Sequence, residues 1–235
     1  MNRLSSPTDA AVAEVATDET RQGFLDRLAT ELGEAVVGTH LVAGDDVWAR
    51  VSTDAWRQAG LVVRDALDCE FFDFLSVIDW LPSPFGRGED DPTEPPPERS
   101  TEIRQGVTGG DTRMQVFARA YSIRERAGIT LKVDVPDDTL TVDSWVPVYA
   151  GANWHEREAW EMFGVVFTGH PQLTKLYLPG DFEGHPLRKD FPLLSRMVKP
   201  WPGIVDVEPM PGEPEETTAS GEAPAESPSG EGAES

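Results

Sequence analysis

Residues 82–112 are dominated by proline, glycine and charge, with Pro95-Pro96-Pro97 and Gly109-Gly110 among them. A run of that composition buries too little apolar surface to offset the entropy lost on ordering, so it reads as a long mobile loop between strands. Any core this chain forms must therefore join a block before residue 82 to a block after residue 112.

In the first block, Phe24, Leu25, Leu28 and Leu32 recur on one helical face before Gly33, which predicts a helix over 20–32. Val47, Ala49 and Val51 alternate with polar neighbours as a short strand does. Ser52 or Thr53 then offers an N-cap for a second helix that turns Trp56, Val63 and Leu67 inward. Residues 71–80 are apolar on both alternating faces, which predicts a strand near the centre of the sheet.

The second block opens with two strand-like runs, 113–123 and 129–135. The charged link between them ends in Gly128, where a hairpin could use a positive φ. Leu131, Val133 and Val135 are expected to face inward, and Lys132 and Asp134 outward. Asn153 reads as an N-cap with Glu156 as its capping-box partner, opening a helix over 154–163 that Gly164 ends. From 169 to 203 many apolar residues, Leu176, Tyr177, Leu187 and Phe191 among them, are broken up by proline and glycine. Such a stretch must fold back on its own domain or lie along a partner, and the composition favours a docking arm. Beyond Lys199 no basic residue follows, and Glu, Pro, Gly and Ser dominate to the end, the composition of a solvated chain.

The expected fold class is therefore α+β: a mixed, mostly antiparallel sheet with helices packed on it, followed by an extended C-terminal docking arm. The expected organisation is a flexible N-terminus (1–19), an α+β domain (20–168) with the mobile loop 82–112, a partner-binding arm (169–205) and an acidic disordered tail (206–235).

Composition narrows the chemistry. A formal net charge of −22 over 235 residues argues against nucleic acid, whose phosphates would meet a repulsive field. Cys69 is the sole cysteine, so no intrachain disulfide and no four-thiolate cluster can form, and a reducing cytoplasm fits. Asp9, Glu14, Asp18 and Glu19 near the start are unlike a secretory signal. No apolar run approaches the ~20 residues of a spanning helix, so membrane contact is expected only through partners.

Three catalytic readings can be weighed. His155, Glu156, Glu158, His170 and His185 could suggest an unrelated metal-dependent enzyme, yet no pair of histidines stands at i and i+4. His170 and His185 each lie in a Gly-His-Pro turn, where structural roles are favoured. Glu156, Glu158 and Glu161 sit beside Arg157 on a short helix, where solvated charge is common and Arg157 can pair with Glu161. No glycine-rich nucleotide loop is present. Ser76, Ser144 and Ser195 lack a nucleophile-elbow context, and Asp68 and Glu70 oppose thiolate formation at Cys69. An acidic adaptor that recruits a basic partner through its tail is a further reading.

Two linked motifs are more specific. Glu156-Arg157-Glu158, Trp160-Glu161-Met162-Phe163-Gly164 and Gly169-His170-Pro171 are followed by Gly184-His185-Pro186-Leu187-Arg188-Lys189-Asp190-Phe191-Pro192. Together they resemble the signature of the complex I 30 kDa subunit family, over about residues 153–192. Thr174 departs from the family pattern, where a basic residue or proline is usual, although Lys175 follows it.

The resemblance implies a non-catalytic peripheral-arm subunit of proton-translocating NADH:quinone oxidoreductase on the cytoplasmic side of the cell membrane. It would scaffold the quinone-reducing module against the 49 kDa-type subunit, near the iron–sulfur subunits. FMN and iron–sulfur clusters would lie on those partners, with no active site, cofactor or metal on this chain. Similar chains also occur in related membrane-bound hydrogenases. The residues expected to carry the interface are those of the signature, with Arg188 making polar contacts to the partner.

Overall fold

Ten elements follow one another in the computed structural model, which describes residues 18–84 and 100–192, all within one compact unit of the chain. Readings that fall on 1–17, 85–99 and 193–235, including the acidic tail and the end of the arm, lie outside the described residues.

Helix α1 (Glu19–Leu32) is capped by the Asp18 carboxylate, which accepts from the Arg21 amide, and it ends at Gly33 with φ 56. It buries Phe24 and Leu28. Strand β1 (Val36–His40) turns back on β2 (Val47–Val51), whose Val47, Ala49 and Val51 face the core. One 3-10 turn, Thr53–Ala55, then leads into α2 (Trp56–Asp65). Strands β3 (Phe71–Asp79), β4 (Met114–Ser122) and β5 (Ala127–Val135) form an antiparallel meander. Next come β6 (Thr141–Asp143), α3 (Ala152–Phe163) and β7 (Val166–Thr168), where β6 and β7 pair in parallel across the helix.

The main sheet runs β1-β2-β5-β4-β3, mixed as expected, since β2 and β5 are parallel and the other neighbours antiparallel. Its inner face joins Val116, Ala118, Ile129, Leu131 and Val133 to α1 and α2 in one core. Trp145, in the loop after β6, stacks on Trp56 at 4.4 Å between ring centres and donates its indole N–H to the Trp56 carbonyl at 3.0 Å. Gly60 leaves room for that indole, because a Cβ there would meet it at 2.8 Å.

Several expectations change. Strand β3 stands at the edge of the sheet, not at its centre. Its two apolar faces arise because α3 packs on it from one side, while on the other Phe74 meets Phe117 edge-on at 5.5 Å. The positive φ of the β4–β5 turn falls on Arg126, not on Gly128. Gly128 is instead where the Asp46 carboxylate and Arg119 approach the strand too closely for a side chain.

Lys132 does not face solvent. It is 2% exposed, and its ammonium donates to the Val107 and Gly109 carbonyls at 2.6 and 3.3 Å. Residues 100–112 are thus bonded to the outer face of the sheet over Lys132, Gln115 and Trp80 rather than left as free loop. Gln115 also donates to the Gly109 carbonyl at 3.0 Å, and Trp80 donates to Gln115 at 2.8 Å.

Candidate functional site

Helix α3 and the segment after β7 carry the signature, and the structure joins them into one assembly. The helix starts after Gly151, with no side-chain cap. Asn153 is inside the helix, so the expected capping box with Glu156 does not form.

Glu156 instead points into the core, fully buried. One carboxylate oxygen accepts from the Ser144 hydroxyl at 2.7 Å and the other from the Trp145 amide. Burial pushes this carboxyl up to about 7, opposed by the Ser144 hydroxyl, the Trp145 amide and the charge of Arg57. The bond ties α3 to the loop that carries the Trp145 stack.

Glu161 is also buried, and its partner is not Arg157. Its two oxygens accept from three consecutive backbone amides, Leu176 (2.8 Å), Tyr177 (3.1 Å) and Leu178 (2.6 Å). Burial works to raise the carboxyl, and the three amides with Lys175 outweigh it, holding the group below its ordinary value. A carboxylate cradled by successive amides is a strong charge-assisted anchor. Arg157 takes part from the side, donating to the Thr174 carbonyl at 2.9 Å. The unusual Thr174 is therefore read through its backbone, which any residue supplies.

The second motif closes over the C-terminal end of α3. Gly164 ends the helix at φ 77, and a Cβ there would collide with Arg188 and His185. His185 bonds the Glu161 carbonyl at 2.9 Å, the Arg188 guanidinium donates to the Phe163 carbonyl at 2.6 Å, and the Leu187 amide donates to the Met162 carbonyl at 3.1 Å. These are carbonyls that the last turn of a helix leaves unpaired, at the negative end of its dipole. Arg188, expected to reach a partner, is thus turned toward its own helix. Gly184, at φ 92, lets Phe191 pack against the turn, and Phe191 lies 6.0 Å from Phe182.

The histidines do not converge. His155 meets Phe72 edge-on at 5.4 Å, His170 bonds the Asn153 carbonyl at 3.1 Å, and His185 caps α3. Among the described residues no group of three His, Cys, Asp or Glu side chains is placed to hold a metal ion. Cys69 is buried, and that burial, more than the nearby Glu125 and Asp68, raises its thiol to about 12.

Three large side chains of the site stand outward, among exposed polar and charged ones such as Asp181, Glu183 and Lys189. Trp154 is 69% exposed, Tyr177 64% and Leu187 50%. Trp154 and Glu158 stand one turn apart on α3, and the Tyr177 hydroxyl donates to Glu158 at 2.8 Å. Through Pro192, then, the arm is folded onto its own domain, with these side chains on its outer surface. Pro171, Pro186 and Lys189 complete the run, and the Lys189 amide donates to Asp79 at 2.8 Å. Among the described residues no helix is long and apolar enough to cross a membrane.

A chain of the membrane-bound sulfane sulfur reductase, an archaeal respiratory membrane complex, shares the fold at 16% identity and TM-score 0.51, covering 74% of this chain and 86% of that one. A trypsin-resistant fragment of Nqo5 aligns at 19% identity and TM-score 0.46, over 64% of this chain and 99% of the fragment.

The C/D subunit of NADH-quinone oxidoreductase from Photorhabdus laumondii is 44% identical over 104 residues, which are 44% of this chain and 17% of that protein. The protein of the same name from Psychrobacter cryohalolentis is 44% identical over 94 residues, 40% of this chain and 16% of its own length. The match thus spans about a sixth of the length of these curated relatives. The family described as respiratory-chain NADH dehydrogenase, 30 Kd subunit, matches residues 49–197, and those residues include the last three of β2, the meander, α3 and the whole signature. On that match, which extends over more than half of the sequence, the chain belongs to the respiratory-chain NADH dehydrogenase 30 kDa subunit family.

Proposed function

We propose that this chain is a non-catalytic peripheral-arm subunit of a proton-translocating NADH:quinone oxidoreductase, and that it scaffolds the quinone-reducing module against the 49 kDa-type subunit. In this reading FMN and the iron–sulfur clusters are held by partner subunits, and the chain meets the cytoplasmic side of the cell membrane only through them.

The observation that carries the reading is the use made of the signature. Within it, Glu156 is committed to Ser144 and Trp145, Glu161 to three amides, and His185 and Arg188 to the end of α3. What they hold in place is an outward set of large side chains, Trp154, Tyr177 and Leu187. Tryptophan and tyrosine are among the residues in which binding hot spots are enriched. The C/D relatives contain the matching region as a small part of a longer polypeptide, and we read the remainder as the counterpart of the partner.

The test is recovery of the complex from membranes through a tag on the full-length chain. Tyr177→Ala with Leu187→Ala should lower recovery about 30-fold or more, a loss of ~2 kcal/mol or more for truncated hot-spot residues. The unfolding temperature of the chain should fall only slightly, because Tyr177 gives up one surface bond to Glu158 and Leu187 is half exposed. Recovery equal to wild type would remove this surface from the interface. A second reading, membership in a related membrane-bound respiratory complex, is favoured by the shared fold with the sulfane sulfur reductase chain. The recovered assembly separates the two: one that contains flavin and oxidises NADH supports the first reading, and one that does neither supports the second.

A further inference from the structure

The groups that seat the second motif on the sheet lie outside it. Asp79, the last residue of β3, has a side chain with no exposure. It accepts from the Arg113 guanidinium at 2.9 and 2.7 Å, from the Leu81 amide at 3.0 Å and from the Lys189 amide at 2.8 Å. The same guanidinium continues to Asp190, with two bonds of 2.9 Å. The Trp80 amide donates to the Arg113 carbonyl at 3.0 Å, so Asp79 and Arg113 also close the neck from which residues 82–112 emerge.

We infer that Arg113 is a positioning residue for the subunit interface: by bridging Asp79 to Asp190 it fixes residues 184–192 on the sheet and so sets where Leu187 stands. The neck of the 82–112 segment and the seat of the signature turn are thereby one ion-paired unit.

The chemistry requires arginine. A guanidinium is a planar fork with five donors, able to face two carboxylates at once, whereas an ammonium is a point charge on a flexible stem. The arrangement is electrostatically coherent. The bonds to Asp79 and then Asp190 raise the Arg113 guanidinium above its ordinary value. Asp190 is held below its ordinary value, chiefly by Arg113. At Asp79 burial pulls upward, and the Arg113 bonds with the Lys189 and Leu81 amides outweigh it. No other acid or base bonds to the Arg113 guanidinium among the described residues, and its backbone amide donates to Asp137 at 3.1 Å.

The inference deepens the proposed scaffolding role and rests on it for its consequence, but not for its first measurement. In the full-length chain, hydrogen exchange of the Lys189 amide reports the seat directly. Arg113→Gln should speed that exchange about tenfold or more, and Arg113→Lys should fall between the two, because lysine can serve only one of the carboxylates. Asp190→Asn, at a surface position that leaves the core intact, should loosen the turn as well, and added to Arg113→Gln it should contribute little more.

Unchanged Lys189 exchange in Arg113→Gln, or full additivity of Arg113→Gln and Asp190→Asn, overturns the seat. Should Arg113→Gln not fold, Asp190→Asn decides the matter by the same exchange. In the complex, the variants that loosen the turn should recover several-fold less partner than wild type, and full recovery with a loosened turn overturns the interface role. A wild-type chain that recovers no partner contradicts the proposed function instead, and the exchange result still judges the seat.

Discussion

Glu161 and Glu156 are five residues apart on one helix, and environment gives them opposite behaviour. Glu161 accepts from three amides and stays ionised, while Glu156 has two neutral donors in the core and is raised to about 7. Glu161→Gln keeps the shape and removes the charge, so it should cost about 1.5–3 kcal/mol, the usual worth of hydrogen bonds to a charged group. Denaturant unfolding of the full chain checks this, and an unchanged midpoint would contradict the cradle.

The pH dependence of Glu156 has a definite sign. Its ordinary value is 4.5, so between that and about 7 the folded chain keeps a proton that the unfolded chain has lost. Stability from this group therefore falls as pH rises through that window and levels off above it. Glu156→Gln should remove the slope and gain on wild type between pH 5 and pH 8, whereas a constant difference would exclude the burial effect.

The sequence made the signature visible but not its direction. Charged residues on a short helix beside an arginine suggest solvent, and spacing alone cannot reveal that amides of residues 176–178 return to meet Glu161. Arg113 and Asp79 carried no motif at all. Their partners, Lys189 and Asp190, are more than seventy residues away, and only the fold brings them together.

Elements were more legible where pattern and burial coincide. Helix α1, strand β2, helix α2 and the β4–β5 hairpin follow from periods of 3.6 and 2 that match a single apolar face. Strand β1 has no buried residue to give an apolar period, and β6 and β7, at three residues each, are too short to repeat one. Strand β3 was recognised and misplaced, since apolar residues on both faces report what covers a strand, not its place in the order.

Lys132 was assigned to solvent because its neighbours alternate around it, yet residues 107–109 supply the carbonyls that make its burial tolerable. Burial lowers its ammonium to about 8, Asp134 opposes that shift, and Arg50 adds to it. Lys132→Met should leave the Val107 carbonyl without its donor while Gln115 still serves Gly109. Residues 100–112 should then exchange amide hydrogens and yield to protease faster than wild type. Unchanged protection would mean that the segment is held by its other contacts.

At the scale of the whole molecule, a mixed sheet carries α3 on one edge, and α3, which displays Trp154, carries the folded-back segment that displays Tyr177 and Leu187. Glu156, Glu161, His185 and Arg188 are used inward to fix the segment, and Tyr177 and Leu187 stand outward beside the exposed charges of Asp181, Glu183 and Lys189. A chain of net charge −22 is repelled at long range by acidic surfaces and attracted by basic ones.

Whether this surface seats the chain in a respiratory assembly is decided by purification of the tagged full-length chain from detergent-solubilised native membranes. The expected product is an assembly of several proteins that contains iron and flavin and reduces quinone with NADH. Recovery of the chain alone, with no redox partner, would contradict the scaffolding role.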